Sequence, residues 1–539
     1  MKGIKSFYTG SLLIAIVIFC SCFLGQKIFE MNLYKAGQVD SVVDTDFGRF
    51  LAAQHALYVN DFNVASKLIS QIKTDVDSVK QMKIITDFFA GSMPENAVKL
   101  KDSKDLVSRL VYDAHLIQND KWQSVYERHK KDDSLIAAPL RIFSAVKQGK
   151  TKEAIKFVNS LKTHDSWKAF VRGQIAVLNN DIEGAAKEFA NVHPDFMNLN
   201  DYLYLMSFYQ KNGMFEDMEI LKDDFVNKPG GMYVLNYSHI PDWSNFDGYK
   251  NNLVFSIIQT ISHTQIMVYT DLSLMFLRFA QLISNDANMD AVNYYLGQYY
   301  FYNSGDYETC FKAINKESPL YLFGELSVAE KTKNIKAIEK IARTNPLFIV
   351  AVNTAIRENI KNGNKRAALR FINRGLKEKN LNDNGRVYFL KQRVYVNLMF
   401  DDVNQAQKDM DKLREYDSVV GPDIMLLQAR IWEKQNRNLD EAYKYAMTMI
   451  KMNTSDVNAW DILGLIVNKK EGIYNALEIM ERVGEVAMTT SSIYEHLGDL
   501  YVQYGDKEKA LRAYQQALDL SDDCLIVVPH VQKKIRKLK

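Results

Sequence analysis

A chain of 539 residues is too long for one ordinary hydrophobic core, so it must form several domains or a row of repeats. Its 25 glycines and 9 prolines are about half the usual share, and because a β-rich fold needs turn residues every ten or so positions, this scarcity favours long helices with short connections. The 68 basic and 65 acidic residues balance to a net charge of +3, which provides no general basic field for nucleic acid.

The first 25 residues combine a basic start with a long apolar run. Lys2 and Lys5 precede the stretch SLLIAIVIFCSCFLG at residues 11–25, which is the composition of a secretory signal. Counted from residue 7, the run holds 19 largely apolar residues, close to the roughly 20 that span a bilayer. Residues 1–25 are therefore predicted to be a cleaved signal peptide or a single transmembrane anchor, with lipidation at Cys22 as the third alternative. Each alternative keeps the lysines in the cytoplasm and sends the body outward.

The chain has four cysteines, which are too few for a disulfide scaffold. Cys20 and Cys22 lie inside the apolar run. Cys310 and Cys524 are far apart in the sequence and fit neither a CxxC motif nor zinc-ligand spacing. A single bridge between Cys310 and Cys524 stays open as an alternative for an oxidising compartment.

A period of 34 residues recurs toward the C-terminus. The pairs with this separation are Trp460 and Tyr494, Leu463 and Leu497, Gly464 and Gly498, and Ala476 and Ala510. One further step back from Ala476 reaches Ala442. Equal steps of this size are the mark of a repeat architecture, which decides the whole fold.

This pattern resembles the tetratricopeptide repeat, whose unit is a helix-turn-helix of the same length. The last unit matches the family pattern at Tyr494, Leu497, Gly498, Tyr501, Gly505, Ala510, Tyr514 and Ala517. It departs from the pattern at Asp522, where the family has proline. The resemblance implies an all-α fold, a right-handed superhelical solenoid of such repeats behind the N-terminal hydrophobic signal or anchor helix.

Three positions of the last unit have a physical reason to be small. Gly498 carries no side chain, so a neighbouring helix can approach the first helix closely. Gly505 supplies the positive φ that ends a helix. Ala510 lies where the second helix crosses the first, and a larger side chain there would overpack the junction.

Upstream copies are irregular but keep the small residue of the second helix. These markers are Ala65, Ala154, Ala185, Ala368 and Ala406. Tetratricopeptide units are predicted at 349–522, starting near residues 349, 387, 423, 457 and 491. The remaining predicted parts are irregular helical repeats at 26–226, a loop connector at 227–252, helical repeats at 253–348 with one unit at about 290–320, and a basic capping helix at 523–539. A long buried helix is expected from Gln265 onward.

The connector at 227–252 breaks the repeat pattern. It holds Pro229, Gly230, Gly231 and Pro241 together with five aromatic residues. The aromatic side chains are Tyr233, Tyr237, Trp243, Phe246 and Tyr249. Two interpretations stay open: an aromatic binding loop, or a connector between two solenoid halves that is pinned against helix ends.

No motif for catalysis appears. The stretch SAVKQGKT at 144–151 is one residue short of a phosphate-binding loop, and the run before it reads as helix where that motif needs a strand. The nine histidines are scattered, and none has a partner at metal-ligand spacing. We therefore expect no catalytic residue, no metal, no cofactor, no small-molecule substrate and no nucleic-acid partner.

In the tetratricopeptide family, partners are contacted mainly from the first helix of each unit. The resemblance implies such contacts at Asn353, Arg357, Lys361, Lys391, Tyr395, Lys434, Gln435, Asn458, Asp461, Asn468, Lys469, Glu495, Asp499 and Gln503. This set is basic and polar in the middle of the array and more acidic at its end. It would suit an extended or acidic peptide segment of a partner protein.

The leading hypothesis is a non-catalytic protein-interaction scaffold. Because the chain also resembles long, signal-bearing tetratricopeptide proteins of bacterial envelopes, we expect its body in the periplasm, secreted or anchored in the inner membrane through residues 7–25. The alternative from another class is an enzyme or enzyme subunit acting on the envelope, with a site among clustered carboxylates in the N-terminal half.

Overall fold

The computed structural model describes residues 45–225, 248–263, 270–284, 286–303, 305–379, 381–416 and 421–539. Within these ranges the chain is helical throughout and contains no β-strand. The predicted leader at 1–25, with Cys20 and Cys22, lies outside the described residues, as does most of the aromatic connector. The described helices are numbered α1 to α28 in chain order.

The chain divides into two compact units, Met1–His115 and Leu116–Lys539. The described helices of the first unit are α1 (Asp46–Tyr58), α2 (Phe62–Ser70) and α3 (Asp77–Phe89), and α4 (Leu106–Gln118) crosses the boundary. In the first unit α1 packs on α2 and α2 on α3. The α1–α2 contact is centred on the buried Ala53, Leu68 and Ile69.

The first half of the second unit contains helices of 6 to 17 residues. Their bounds are α5 (Trp122–His129), α6 (Ala138–Lys147), α7 (Thr151–Ser160), α8 (Asp165–Leu178), α9 (Ile182–Phe189), α10 (Leu199–Lys211), α11 (Phe215–Phe225), α12 (Tyr249–His263), α13 (Asp271–Ile283), α14 (Asp286–Tyr302) and α15 (Tyr307–Lys312). Here α12 leaves the chain order and packs against α6 and α8.

The second half of this unit is a regular row of helix pairs. Their bounds are α16 (Tyr321–Lys331), α17 (Ile335–Thr344), α18 (Ile349–Lys361), α19 (Lys365–Gly375), α20 (Asp383–Met399), α21 (Val403–Leu413), α22 (Pro422–Gln435), α23 (Leu439–Met452), α24 (Val457–Lys470), α25 (Ile473–Val486), α26 (Ser491–Tyr504), α27 (Lys507–Asp519) and α28 (Val528–Leu538). From α13 to α28 each helix packs on the next along the chain. This is the architecture of a helical repeat array, and its handedness stays a prediction.

A buried small residue at one fixed position joins the two helices of most pairs. It is the fourth residue of the second helix and is no more than 2 % exposed. The residues at this position are Ala65, Ala154, Ala185, Ala368, Ala406, Ala442, Ala476 and Ala510. Because a methyl group is the whole side chain, the crossing helix approaches closely, as the small residue in the sequence suggested.

A left-handed residue followed by aspartate recurs in the turns between paired helices. The dipeptides are Asn60-Asp61, Asn180-Asp181, Asp401-Asp402 and Gly505-Asp506, with φ of 60°, 58°, 57° and 94° at the first residue. Asparagine, aspartate and glycine tolerate this region best. The second residue then accepts a hydrogen bond from the backbone N–H three residues on, at 2.9–3.3 Å. One dipeptide thus ends a helix and caps the next.

At a glycine in several first helices, a ring or thioether from the second helix occupies the space where a Cβ would lie. A Cβ on Gly498 would lie 2.4 Å from the ring of Tyr514, and one on Gly464 would lie 2.6 Å from Met480. Gly173 meets Phe189 in the same way, and all three pairs are 16 residues apart. The pair in α8 and α9 shows that the packing rule extends into the irregular half.

Three expectations differ from the structure. The helix expected from Gln265 does not run through Thr270, which has an extended backbone and caps α13 through the backbone N–H of Ser273, so that α13 begins at Asp271. Residues 265–269 of that expectation lie outside the described residues. The connector ends sooner than predicted, since α12 begins at Tyr249, whose ring lies 6.2 Å from that of Trp122. Cys310 and Cys524 are both free thiols, so the alternative of a bridge between them is wrong.

Among the described residues, no helix combines the length and the apolar character that a membrane crossing requires. The predicted span at residues 7–25 lies outside this part of the chain.

Replacing Ala510 by leucine should destabilise the C-terminal repeats. The side chain is fully buried between Tyr514, Ala517 and Val531, so added methylenes should cost about 1–3 kcal/mol. Hydrogen exchange should show lost protection in α26 to α28 and unchanged protection in α5 to α11, because repeats couple mainly to their neighbours. Gln516→Leu, on the exposed side of the same helix, is the control; equal loss along the whole chain would contradict the expectation.

Candidate partner-binding surface

The predicted contact residues all lie on α18, α20, α22, α24 and α26, the first helices of successive pairs. We call these residues the first-helix surface. Helix α20 packs beside α22, and α22 beside α24. Hydrogen bonds join the remaining neighbours, from Tyr388 of α20 to Asn353 of α18 and from Asn468 of α24 to Gln503 of α26 (2.8 Å). The surface is therefore continuous along the array.

A polar network joins α22, α24 and α26 at the centre of this surface. Arg430 donates to Glu433 at 2.8 Å, and Lys469 pairs with the same carboxylate at 3.0 Å. Arg430 also reaches Nε2 of His496 at 2.9 Å, and Nδ1 of His496 lies 2.8 Å from Asp461. Glu433 is only 5 % exposed, so its charge depends on these partners. We call these five residues the Arg430 network.

The tautomer of His496 follows from its two neighbours. An arginine can only donate, so Nε2 of His496 must accept the hydrogen bond from Arg430. The proton of the neutral ring is then on Nδ1 and is donated to Asp461. An aspartate and a histidine arranged in this way resemble part of a catalytic triad, but here the nitrogen that would act as base is already occupied. The pair serves to hold α24 and α26 together.

Most other members of the first-helix surface also have partners within the chain. Lys434 pairs with Asp401 at 2.5 Å. The side chain of Tyr395 is enclosed by its neighbours, and this burial raises its pKa to about 12. Gln435 and Asn468 each carry a buried side-chain oxygen without a hydrogen-bond partner in the described part of the chain. Asn458 and Gln503 are exposed, and Lys391 is half-buried. The open part of the surface is therefore concentrated on α24 and α26.

The contacts between first helices have a simple spacing that was not used in the sequence prediction. Asp461 and His496, Asn468 and Gln503, and Asn353 and Tyr388 are each 35 residues apart. Residues about one period apart occupy similar places on adjacent first helices, so polar pairs at this separation are candidates for such contacts. Arg430 and Glu433 escaped prediction because their signal is only a three-residue spacing on one helix.

The acidic end of the surface is bound by the C-terminal helix. Lys534 of α28 lies 2.8 Å from Glu495 and 2.7 Å from Asp499. Although burial lowers the pKa of Lys534, these two carboxylates raise it above its usual range. The predicted capping helix thus packs on α27 and also covers two predicted contact residues.

The N-terminal half of the second unit holds a buried polar cluster around one carboxylate, that of Asp201. One carboxylate oxygen of Asp201 accepts a hydrogen bond from Gln259 at 3.1 Å. The other accepts from the backbone N–H of Asn198 at 3.0 Å and also contacts Nε2 of His263. His263 in turn stacks on Phe196 with ring centroids 3.9 Å apart. The single carboxylate caps α10 and ties it to α12, so the cluster has a structural role.

Nothing in the described ranges resembles a metal or nucleotide site. No group of three or more metal-ligating side chains occurs among these residues. The SAVKQGKT stretch spans α6, the left-handed Gly149 and the start of α7, so a helix precedes the turn, as expected. Burial raises the pKa of the Cys310 thiol to about 11, which keeps it protonated.

No protein-family model matches the chain, and no match was found among curated proteins. Solved structures are similar to it at low identity. A tetratricopeptide repeat protein from Parabacteroides merdae is 15% identical over 47% of this chain and 98% of its own, with a TM-score of 0.36. MamA from Desulfovibrio magneticus is 16% identical over 32% of this chain and 94% of its own, with a TM-score of 0.22. The APC/C hetero-tetramer Cut9-Hcn1 is 11% identical over 92% and 96%, with a TM-score of 0.31.

Replacing Glu433 by glutamine should weaken the contact between α22 and α24. Arg430 and Lys469 would then share a buried neutral group, and breaking such a pair costs about 3 kcal/mol. Hydrogen exchange should be faster in both helices by the factor that this loss of free energy predicts. Glu478→Gln, which breaks the exposed pair with Arg482, is the control and should leave exchange unchanged. Equal effects of the two variants would show that the Arg430 network is not what joins these helices.

Proposed function

We propose that the protein is a non-catalytic scaffold that binds a segment of a partner protein on the first-helix surface. The observation that carries this proposal is the alignment of successive first helices, which presents polar side chains from five repeats along one continuous face. Each repeat adds one helix to that face, so an extended segment can be read over several units. The body of the partner need not be large or rigid.

The open part of the surface is suited to a peptide. Asn458 and Gln503 are exposed. The Asn458 amide can both donate to and accept from a peptide backbone, and Gln503, whose oxygen accepts from Asn468, can donate through its amide N–H groups. Next to Gln503 in the sequence, Tyr504 is 47 % exposed. Exposed tyrosines next to polar amides are the composition of a protein-binding patch.

We place this scaffold at the bacterial cell envelope, with its body in the periplasm. The support is the N-terminal sequence, in which Lys2 and Lys5 precede the apolar run at residues 7–25. A basic start of this kind stays in the cytoplasm while the following chain is exported. A retained run would hold the scaffold at the inner membrane, and a cleaved one would release it.

A photocrosslinking amino acid at Gln503 should capture a specific protein in intact cells. Gln503 lies on the open part of the first-helix surface, so a bound segment would pass within reach of its side chain. The control is the same amino acid at Glu478, which is exposed on the second helix of the preceding pair. Mass spectrometry should identify a product from position 503 that is absent from position 478. The same products from both positions, or none from either, would contradict binding on this surface.

Alkaline phosphatase fused after Lys539 should be active, because the enzyme folds only where disulfides form, outside the cytoplasm. The matched control is the same fusion without residues 1–25, which should be inactive. A cytoplasmic reporter at the same position should behave in the opposite way. An inactive phosphatase beside an active cytoplasmic reporter would overturn the proposed location.

A further inference from the structure

The residues that follow α27 contact two distant parts of the array. We call residues 521–538 the C-terminal segment; it consists of a short turn at Ser521–Asp523, a left-handed Cys524 with φ of 59°, and α28. Helix α28 packs on α27 as the next helix of the row. The turn before it, however, reaches α18, which is more than 160 residues earlier in the chain.

The acidic turn is held by two predicted partner-contact residues. Lys361 pairs with Asp522 at 2.6 Å, and Arg357 donates to the backbone carbonyl of Asp523. The hydrogen bond from Lys361 holds the pKa of Asp522 below its usual range. The Asp523 carboxylate accepts from the backbone N–H of Ser491 at 2.7 Å. The basic end of the first-helix surface is thus occupied by acidic residues of the same chain.

Apolar residues of the C-terminal segment enter two different cores. Val527 is 2 % exposed and belongs to the cluster that contains Phe348, Ile356 and Phe389 of the α18 region. Its neighbour Ile526 belongs to the cluster of the last repeat, with Tyr514. The segment therefore bridges the two ends of the first-helix surface by packing as well as by charge.

The charges of the segment are the inverse of the charges that it meets. The surface presents Arg357 and Lys361 at one end and two carboxylates, Glu495 and Asp499, at the other. The segment brings Asp522 to Lys361 and Lys534 to the two carboxylates, while the Asp523 carboxylate binds Ser491. It has the composition of the ligand that this surface is suited to bind.

The segment depends on its contacts with the rest of the chain. A helix of 11 residues is marginal on its own. Asp522 is 85 % exposed, and ion pairs of that exposure contribute little. The buried Ile526, Val527 and Val531 hold the segment in place, and the tether keeps it at a high effective concentration beside the surface.

We infer that the C-terminal segment is an intramolecular occupant of the first-helix surface, and that the partner carries a segment of the same chemistry, an acidic pair followed by apolar residues and a basic amphipathic helix. This inference rests on the proposed function and names the ligand of its surface. Binding of the partner segment requires release of residues 521–538.

The test uses the full-length chain and a fluorescently labelled synthetic peptide of residues 519–539. In the variant Lys534→Glu, the new carboxylate faces Glu495 and Asp499 and should release the segment. The control Lys533→Glu makes the same charge change at the neighbouring exposed residue. Fluorescence anisotropy should show the peptide binding at least about tenfold more tightly to Lys534→Glu than to the wild type or the control, because the tethered competitor is lost. A peptide that itself carries Lys534→Glu should lose this binding.

A second variant covers the case in which Lys534→Glu does not release the C-terminal segment. Val527→Asp places a charge in the α18 cluster, and hydrogen exchange of residues 525–538 shows whether the segment has left. Release without binding of the peptide, equal binding to all chains, or no release in either variant would overturn the inference. Dimers of Lys534→Glu seen by light scattering in the absence of peptide would assign the segment to a second copy and also overturn it. A partner crosslinked at Gln503 would leave the proposed function standing in each case.

Discussion

The close approach of two helices at a buried alanine is the contact on which the rest of this structure depends. Where the fourth residue of a second helix is Ala406, Ala442 or Ala476, the first helix lies against it with only a methyl group between the backbones. This crossing fixes the angle of each pair and therefore the direction in which its first helix faces. Because the same crossing recurs from pair to pair, successive first helices face the same way and form one surface. A larger side chain at one crossing would turn the helices beyond it.

The polar residues on the first-helix surface have two roles: some join neighbouring repeats, and others are open to a partner. Glu433 and Asp461 are buried between neighbouring first helices, where unpaired carboxylates would be costly, so each is matched by a cation or a ring nitrogen of the next repeat. Such pairs set the register of the repeats and are not available to a partner. Exposed amides are where recognition of a partner can take place: Asn458 is exposed, and in Gln503 the side-chain oxygen pairs with Asn468 while the amide N–H groups face outward from that bond. A family-based list of contact positions cannot distinguish the two classes, because both occupy the same face of the helix.

Much of the helix arrangement could be predicted from sequence, since it rests on local signals. The period that relates Gly464 to Gly498, and the small residue at Ala510, follow from packing within a pair and its nearest neighbour. The cap at Thr270 was missed because the apolar residues on both sides suggested one continuous helix, and a threonine alone is a weak stop signal. The meeting of Asp522 with Lys361 could not be predicted, because it joins residues 161 positions apart that share no period. It depends on the accumulated rotation of every repeat between them.

That long-range contact changes how the array should respond to binding. In an open row, each repeat is stabilised only by its neighbours, and an event at one end is not felt at the other. Here the backbone carbonyl of Asp523 contacts Arg357 of α18, and its carboxylate caps the start of α26 through Ser491. The two ends of the surface therefore contact the same residue. A ligand that displaces the C-terminal segment from α18 must also remove this cap from α26. By linkage, a change that breaks the contact of Asp523 with Ser491 favours the ligand by the same free energy with which the ligand disfavours that contact, so the acidic turn couples the basic end of the surface to its open end.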